Sequence, residues 1–322
     1  MATGKKKRTG VWHAISRILL TLLLIGVLCA CFCGIAFAYY VHAYINPSAQ
    51  ETAADLSKGL GLDLNSFIYT VDSETGQETL YETIRGMENR IWEDSENIPE
   101  DLKNAVVAIE DERFYKHHGV DWKRTFGAVV NWLVGDDRYG GSTITQQLIK
   151  NVTDEDDYSV KRKINEIFRA LALEDEIGDK DRILEMYLNT SYLGYNCYGV
   201  KTAATTYFGK DVSELSLAEC AALAGLTNNP SIYDPYNHPE KVKERQENIL
   251  GKMLELGMID QTTYNEAIAT ELVYRPYEKY QQDISDIYSY FADAVIKDVT
   301  KDLMEQKGYS ELVASNMVTS GG

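Results

Sequence analysis

A mainly α-helical body behind one N-terminal transmembrane helix, with a short β hairpin near residues 67–92, is the fold class this 322-residue sequence predicts. Three observations predict it. Ile18–Val41 runs for 24 residues without a charge. From Ser159 to about Leu256, apolar residues recur at helical spacing with only short breaks. Phe67–Val71 and Thr79–Tyr81 are β-type runs on either side of Ser73-Glu74-Thr75-Gly76, a turn signal. A 44% hydrophobic content is enough for a packed core and excludes a wholly disordered chain.

The charge is placed unevenly. The whole chain carries −17, yet residues 1–17 hold Lys5, Lys6, Lys7, Arg8 and Arg17 and no acid. That leaves a basic head on an acidic body, which argues against a nucleic-acid partner. The apolar run spans about 36 Å as a helix, enough to cross a hydrocarbon core about 30 Å thick. The preceding cations predict a cytoplasmic N-terminus and an extracytoplasmic body at the cell membrane. Tyr39, Tyr40 and Tyr44 lie where an outer aromatic belt would form. A cleaved signal peptide ending at Ala36-Phe37-Ala38 is the rival reading. Its apolar region would normally span only about 7–15 residues, so the length favours an uncleaved anchor.

In chain order, the expected divisions are a basic tail (1–17), the transmembrane helix (18–41) and a polar juxtamembrane linker (42–66). A catalytic-sized body (67–260) and a C-terminal helical extension (261–322) follow. Asn46-Pro47 and Gly59-Leu60-Gly61 mark the linker. The apolar stretch Phe126–Val134 is too short to span a bilayer. Cys29, Cys31 and Cys33 lie inside the span, and Cys197 and Cys220 read equally as a bridge or as two buried thiols. No Cys or His spacing suits a metal site.

Three clusters could carry chemistry. In the helix from Val160 to Glu174, Ile164, Ile167, Phe168 and Leu171 form the expected buried stripe. Arg162, Glu166 and Arg169 fall on the opposite side with Lys163 beside them. Spacing alone allows an ordinary solvated face with i, i+4 pairs. A basic island that also includes Lys150 and Lys161, in so acidic a body, points instead to an anionic ligand. The second cluster is Glu110-Asp111-Glu112-Arg113, directly after the apolar run Ala105–Ile109. A carboxylate at the edge of apolar surface can serve as a general acid or base, although an exposed polar loop has the same composition. The third is Gly140-Gly141-Ser142-Thr143, opening a helix whose N–H groups could hold phosphate. Ser142 as a simple N-cap is the plainer alternative.

Together these clusters resemble, in order and spacing, the motifs of the peptidoglycan glycosyltransferases (glycosyltransferase family 51), found at the front of class A penicillin-binding proteins. Glu110-Asp111-x-Arg113-Phe114-x-x-His117-x-Gly119-x-Asp121 resembles the first motif. Gly140-Gly141-Ser142-Thr143-Ile144-Thr145-Gln146-Gln147-Leu148-x-Lys150-Asn151 resembles the second. Arg162-Lys163-x-x-Glu166 and Arg182-Ile183-Leu184-Glu185-x-Tyr187-Leu188-Asn189 resemble the third and fourth. The likeness covers roughly residues 65–260. Thr153–Asp157 is unusually acidic for it, and Asn316–Gly322 resembles a linker toward a transpeptidase domain. No Ser-x-x-Lys nucleophile motif occurs in the chain.

The resemblance implies a lysozyme-like larger lobe and a smaller membrane-associated jaw lobe, with Phe126–Val134 as the jaw surface. It implies polymerisation of lipid II into β-1,4 glycan strands, with inversion and release of undecaprenyl pyrophosphate. Glu110 would be the general base and Glu166 the second catalytic carboxylate. Asp111, Arg113, Ser142, Thr143, Gln146, Lys150, Arg162 and Lys163 would bind substrate. No cofactor is required, though Glu166 could hold a divalent Mg or Mn ion. Implied partners are lipid II, the growing strand, the membrane and cell-division or elongation proteins. A lytic lysozyme-like enzyme and a non-catalytic wall scaffold are the alternatives.

Overall fold

A computed structural model describes residues 6–86, 88–133, 140–153, 159–279 and 289–320. Helix α1 (Lys6–Tyr40) runs without interruption through a π-helical turn, Val41–Ile45, into α2 (Asn46–Lys58). It is long and apolar enough to cross a membrane. The segment expected as a linker is therefore helical to Lys58. Pro47 is tolerated inside this continuous helix because it follows directly on the π turn, where the backbone ladder is already shifted and the missing N–H falls at that irregularity. Val41, Ile45, Ala49 and Ala53 are buried at intervals of four residues. An α-helix drifts about 40° at each such step, and the wider π turn absorbs part of that drift.

The hairpin forms where expected, with β1 (Ser66–Val71) antiparallel to β2 (Glu78–Ile84). Asp72 accepts from the backbone N–H groups of Glu74 and Thr75 in its turn, and Gly76 supplies the left-handed residue. β3 (Asn89–Arg90) pairs in parallel with β4 (Cys197–Tyr198). The body is built from α3 (Glu100–Glu110), α4 (Trp122–Leu133), α5 (Ile144–Thr153), α6 (Val160–Ile177) and α7 (Lys180–Thr190). It continues with α8 (Val200–Phe208), α9 (Leu217–Leu226), α10 (Pro239–Glu255) and α11 (Gln261–Ala269). α9 is apolar all round and sits at the centre, buried from Ala218 to Leu226 between α3 and α10.

The core does not stop at residue 260. Ala267 belongs to it, Leu272 and Tyr274 pack on it, and the Arg275 N–H donates to the Tyr207 carbonyl at 2.7 Å. α12 (Tyr290–Lys307) and α13 (Glu311–Thr319) follow. Ala292, Val295 and Ile296 of α12 cover Ile68 and Ile84 of the hairpin. The Leu64 N–H donates to the Ser320 carbonyl at 2.8 Å. Residues 316–319, expected as the start of a linker, thus form the last turn of a packed helix. Gly321 and Gly322, and the acidic residues 154–157, lie outside the described residues.

α6 departs most from expectation. Its most enclosed positions are Glu166, Ala170, Leu173 and Glu174, whereas Ile164, Ile167, Phe168 and Leu171 are only half-buried. The helix is packed between α2 and α5, so no single stripe is its inside. Its carboxylates tolerate burial because each finds cations or hydroxyls: Glu174 accepts from Thr145 Oγ1 and Lys180 Nζ, both at 2.6 Å. Ser57 Oγ lies 3.4 Å from Glu176 Oε1, near the C-termini of both α2 and α6. α6 ends one residue later, so α2 can lie along it only in parallel.

Candidate active site

Glu110 is the last residue of α3, where the helix dipole disfavours a negative charge. Local donors compensate. Gln147 Nε2 donates to Oε2 at 2.8 Å, and Thr227 Oγ1 donates to Oε1 at 2.9 Å. Gln147 is itself held by the Tyr187 hydroxyl, 3.2 Å from its Oε1. Burial and the nearby Glu110 charge push the Tyr187 phenol well above its ordinary range, so it stays a neutral donor. Each Glu110 oxygen therefore has one protein donor and keeps further acceptor capacity for a ligand.

Across the cleft, α6 presents Lys163 and Glu166. Lys163 Nζ reaches Ser142 Oγ at 2.6 Å and Glu166 Oε2 at 2.9 Å, and Arg162 lies 3.2 Å from Glu166 Oε1. Both oxygens of Glu166 thus face cations that belong to the protein. Among the described residues no group of three His, Cys, Asp or Glu side chains is placed to hold a metal ion. Glu166 is therefore already neutralised by the ammonium of Lys163 and the guanidinium of Arg162, and a divalent ion at this carboxylate would share it with them and draw its other ligands from substrate phosphates and water.

The cleft between these two walls has a volume of about 560 Å³. Glu110, Ser142, Gln146, Lys150, Arg162, Lys163 and Glu166 all line it, so the structure brings together seven of the ten residues singled out from sequence. The other three stand elsewhere. Asp111 is fully buried, accepts the Ile144 N–H at 3.1 Å and pairs with His117 Nε2 at 2.9 Å. It braces α3 to α5 rather than touching a ligand. Thr143 is fully buried and donates to the Gly119 carbonyl at 2.6 Å. Arg113 turns away to a bidentate pair with Asp121 and lines a separate cavity.

Three of the N–H groups expected to form a phosphate cradle at the start of α5 are already engaged. The Thr143 N–H donates to Gln146 Oε1, the Ile144 N–H to Asp111 and the Gln146 N–H to Thr143 Oγ1, so these donors are spent within the protein. Gly141 has a different reason to be glycine: a Cβ there would come within 2.8 Å of the Ala128 Cβ on α4. Gln146 Nε2 is the exception, since it is buried without a partner in a residue that lines the cleft.

Sequence reasoning missed Gln147, Thr227, Arg124 and Arg245. Arg124 Nη1 donates to the Glu110 carbonyl at 2.7 Å and Nη2 to the Gly140 carbonyl at 2.9 Å, tying α4 to both motifs. Gln147 carried a usable signal, because it stands three residues before Lys150 on one helix face. Thr227 and Arg245 come from distant elements and had none. In total the cleft is lined by Arg124, Lys150, Arg162, Lys163 and Arg245 against Glu110 and Glu166, a cationic lining in an acidic protein. A larger cavity of about 720 Å³, beside Lys58, Trp92 and Arg182, brings no two such carboxylates together.

A half-buried glutamate facing a cationic wall across a cleft, on a mainly helical core, is the arrangement to be compared with known proteins. Residues 77–254, more than half of the chain, match the model of the Transglycosylase family, and the chain belongs to that family. It is similar to penicillin-binding protein 1A of Clostridium botulinum strain Hall, with 36% identity over 332 residues, covering 99% of this chain and 38% of that protein. Penicillin-binding protein 1A of Clostridium perfringens strain 13 is 35% identical, over 98% of this chain and 46% of the relative. That of Neisseria cinerea is 44% identical over 66% of this chain and 26% of the relative. The chain thus spans about two fifths of the length of its clostridial relatives. The crystal structure of penicillin-binding protein 1A from Haemophilus influenzae is a further neighbour, with 22% identity, a TM-score of 0.39, and coverage of 77% of this chain and 26% of that one.

Proposed function

We propose that the chain is a membrane-anchored peptidoglycan glycosyltransferase that joins lipid-linked disaccharides of the lipid II type into β-1,4 glycan, releasing a lipid pyrophosphate. The observation that carries this reading is the cleft itself, with Glu110 on one wall and the Lys163–Glu166–Arg162 cluster on the other. Glu110 accepts the proton of an attacking sugar 4-hydroxyl while that oxygen bonds to the anomeric carbon of the donor. The bond from that carbon to the pyrophosphate breaks on the opposite face, which inverts the anomeric centre. Negative charge then grows on the phosphates, where Lys163, Arg162 and Lys150 are already positioned to stabilise it. Glu166 holds Lys163 and Arg162 in place, and Ser142 fixes the other side of the Lys163 ammonium. This protein charge stands where the negative charge of the leaving group develops.

The anchor geometry supports a lipid-linked substrate. With α2 parallel to α6 and Ser57 beside Glu176, Lys163 stands level with Tyr44. That is about 5 Å beyond Val41, the end of the charge-free run, at the depth of lipid phosphates. We place the N-terminus in the cytoplasm and the body outside. α4 is the membrane-facing jaw: Trp122 and Phe126 are 60% and 72% exposed, unlike side chains of a buried core helix. A lytic enzyme would have no use for so cationic a cleft.

The test is purified full chain in detergent with labelled lipid II, alongside Glu110→Gln, with glycan chains separated on gels. Chains from the wild type only are expected, the variant losing about 100- to 10,000-fold in rate. Substantial polymer from Glu110→Gln would refute the base, and none from folded wild type would refute the transferase.

A further inference from the structure

Lys163 and Arg162 are engaged with Glu166, and Arg124 is engaged with two backbone carbonyls. Two other cations of the cleft are not engaged in this way. Lys150, on α5, makes no hydrogen bond or ion pair among the described residues. Arg245 is the second.

Arg245 reaches the cleft from α10, outside every motif singled out above. Its stem crosses α9 at Gly225, where a Cβ would come within 2.9 Å of Arg245 Cγ. Glycine at that position is what lets the side chain pass. The guanidinium carbon then rests 5.5 Å from the centre of the Tyr233 ring, and Nε is buried without a hydrogen-bond partner. No carboxylate pairs with it among the described residues. A guanidinium laid on an aromatic face, with its stem fixed and its fork unpaired, is pre-organised for an anion. Its neighbours in the cleft, Thr227 and Asn228, belong to the segment that also supplies the Thr227 bond to Glu110. Arg245 therefore lies on the Glu110 side, and the Lys163 cluster lies across from it.

If the leaving pyrophosphate occupies the Lys163 side, the molecule whose hydroxyl approaches Glu110 must lie on the other. We infer that Arg245 binds an anionic group of that incoming acceptor, either its diphosphate or a carboxylate on its peptide. This assignment rests on the transfer reading above and adds to it the residue that holds the acceptor. A bidentate guanidinium contact fixes the orientation of its ligand, so Arg245 would set the line along which the sugar hydroxyl meets Glu110.

The experiment uses the full chain in detergent. A short-chain lipid diphosphate disaccharide is titrated calorimetrically into wild type, Arg245→Gln, Arg245→Lys and Lys163→Ala, each first shown to unfold at a temperature near that of wild type. Two sites are expected in wild type. Arg245→Gln should weaken one of them roughly 10- to 100-fold, the range of a lost charge-assisted hydrogen bond, while Lys163→Ala weakens the other. Arg245→Lys should recover part of the loss. In the turnover arm, Arg245→Gln should raise the KM for acceptor by a similar factor and leave the KM for a preformed oligomeric donor unchanged. An acceptor with its peptide carboxylates amidated, and one carrying a simple glycoside in place of the diphosphate, identify the group. Whichever of them already lacks the contacted anion should show no further loss in Arg245→Gln. Active wild type with Arg245→Gln indistinguishable from it, or with only the donor KM raised, overturns the inference and leaves the transfer reading intact. Wild type that neither binds nor polymerises overturns both.

Discussion

Gly119 and Gly178 have nearly the same backbone conformation, with φ of +69° and +65°, and both contact or cap α6. Their surroundings differ. A Cβ at Gly119 would stand 2.7 Å from the Ala170 carbonyl oxygen and 2.9 Å from its carbon, whereas a Cβ at Gly178 would meet nothing within 4 Å. Replacing either by alanine incurs the left-handed penalty of about 1–2 kcal/mol. Only Gly119→Ala adds an overlap with helix backbone, which cannot rotate aside, at about 1–3 kcal/mol more. For a body of this size 1 kcal/mol corresponds to about 2–4 °C, so Gly119→Ala should unfold about 2–12 °C below Gly178→Ala. The consequence reaches the cleft. Ala170 lies one turn after Glu166 on α6, and the Gly119 carbonyl accepts from Thr143 beside Ser142. Polymerisation at a temperature where both variants are folded should therefore fall in Gly119→Ala and not in Gly178→Ala. Thermal unfolding followed by circular dichroism gives the comparison. Equal midpoints for the two variants would refute the argument, because the shared conformational cost cancels and only the contact remains.

Other expectations are narrower. Lys163→Ala should cost about 100- to 1,000-fold in single-turnover rate, against little for the exposed Lys161→Ala; equal losses would remove Lys163 from the leaving-group site. Replacing Trp122 and Phe126 together with Ser should slow turnover of substrate held in vesicles by about tenfold or more while sparing a soluble short-chain analogue, and equal effects on both would place α4 away from the membrane. Burial alone would raise the Asp121 carboxyl, but the Arg124 backbone N–H at 3.0 Å and the Arg113 guanidinium outweigh it and hold the group below the usual carboxylate range. Its contribution is thus complete above the unfolded value of about 4 and lost as pH falls through the lower folded value. The stability gap between wild type and Asp121→Asn, measured by denaturant titration, should be constant from pH 7 to about 5 and close below pH 4; a gap that widens on acidification would contradict the pairing.

Much of this was legible because the informative signals were local. The uncharged run, the turn at Asp72–Gln77 and the order of motifs each lie within a few residues, and each appears where the sequence placed it. What was not legible depended on burial. Helical periodicity assigned Glu166 to an outer face because it is charged, yet it is 5% exposed, enclosed with the cations that neutralise it. Periodicity presumes one inside and one outside, and α6 has neighbours on two sides. Asp111 and Thr143 read as ligands from composition alone, and burial turns both inward to internal hydrogen bonds. A carboxylate and a hydroxyl next to a glycine-rich helix start can serve an outside anion or the helix itself, and here they serve the helix. The linker reading failed differently. Asn46-Pro47 is a break signal by local rules, yet the helix passes through it at a π turn, and the packing of Ala49 and Ala53 is what holds the chain helical beyond it.

The continuity of α1 into α2 has a mechanical meaning. The helix long and apolar enough to cross a membrane continues directly along the helix that carries Lys163 and Glu166. In the anchored arrangement proposed above, the height of the cationic cluster over the bilayer is set by packed backbone rather than by a tether. A flexible linker of equal length would let the cleft wander by many ångströms, since its ends would separate as a random coil. The proposed lipid-borne pyrophosphate substrate would not follow, because its depth would be fixed by its tail. Two bodies that must meet repeatedly at one depth gain most when both depths are fixed in advance, and that is the entropy a rigid helix saves. Inserting two glycines after Ile45 should thus slow polymerisation of vesicle-held substrate far more than that of a soluble analogue. An insertion that slowed both equally would show that α2 supports the fold of the cleft and not its height.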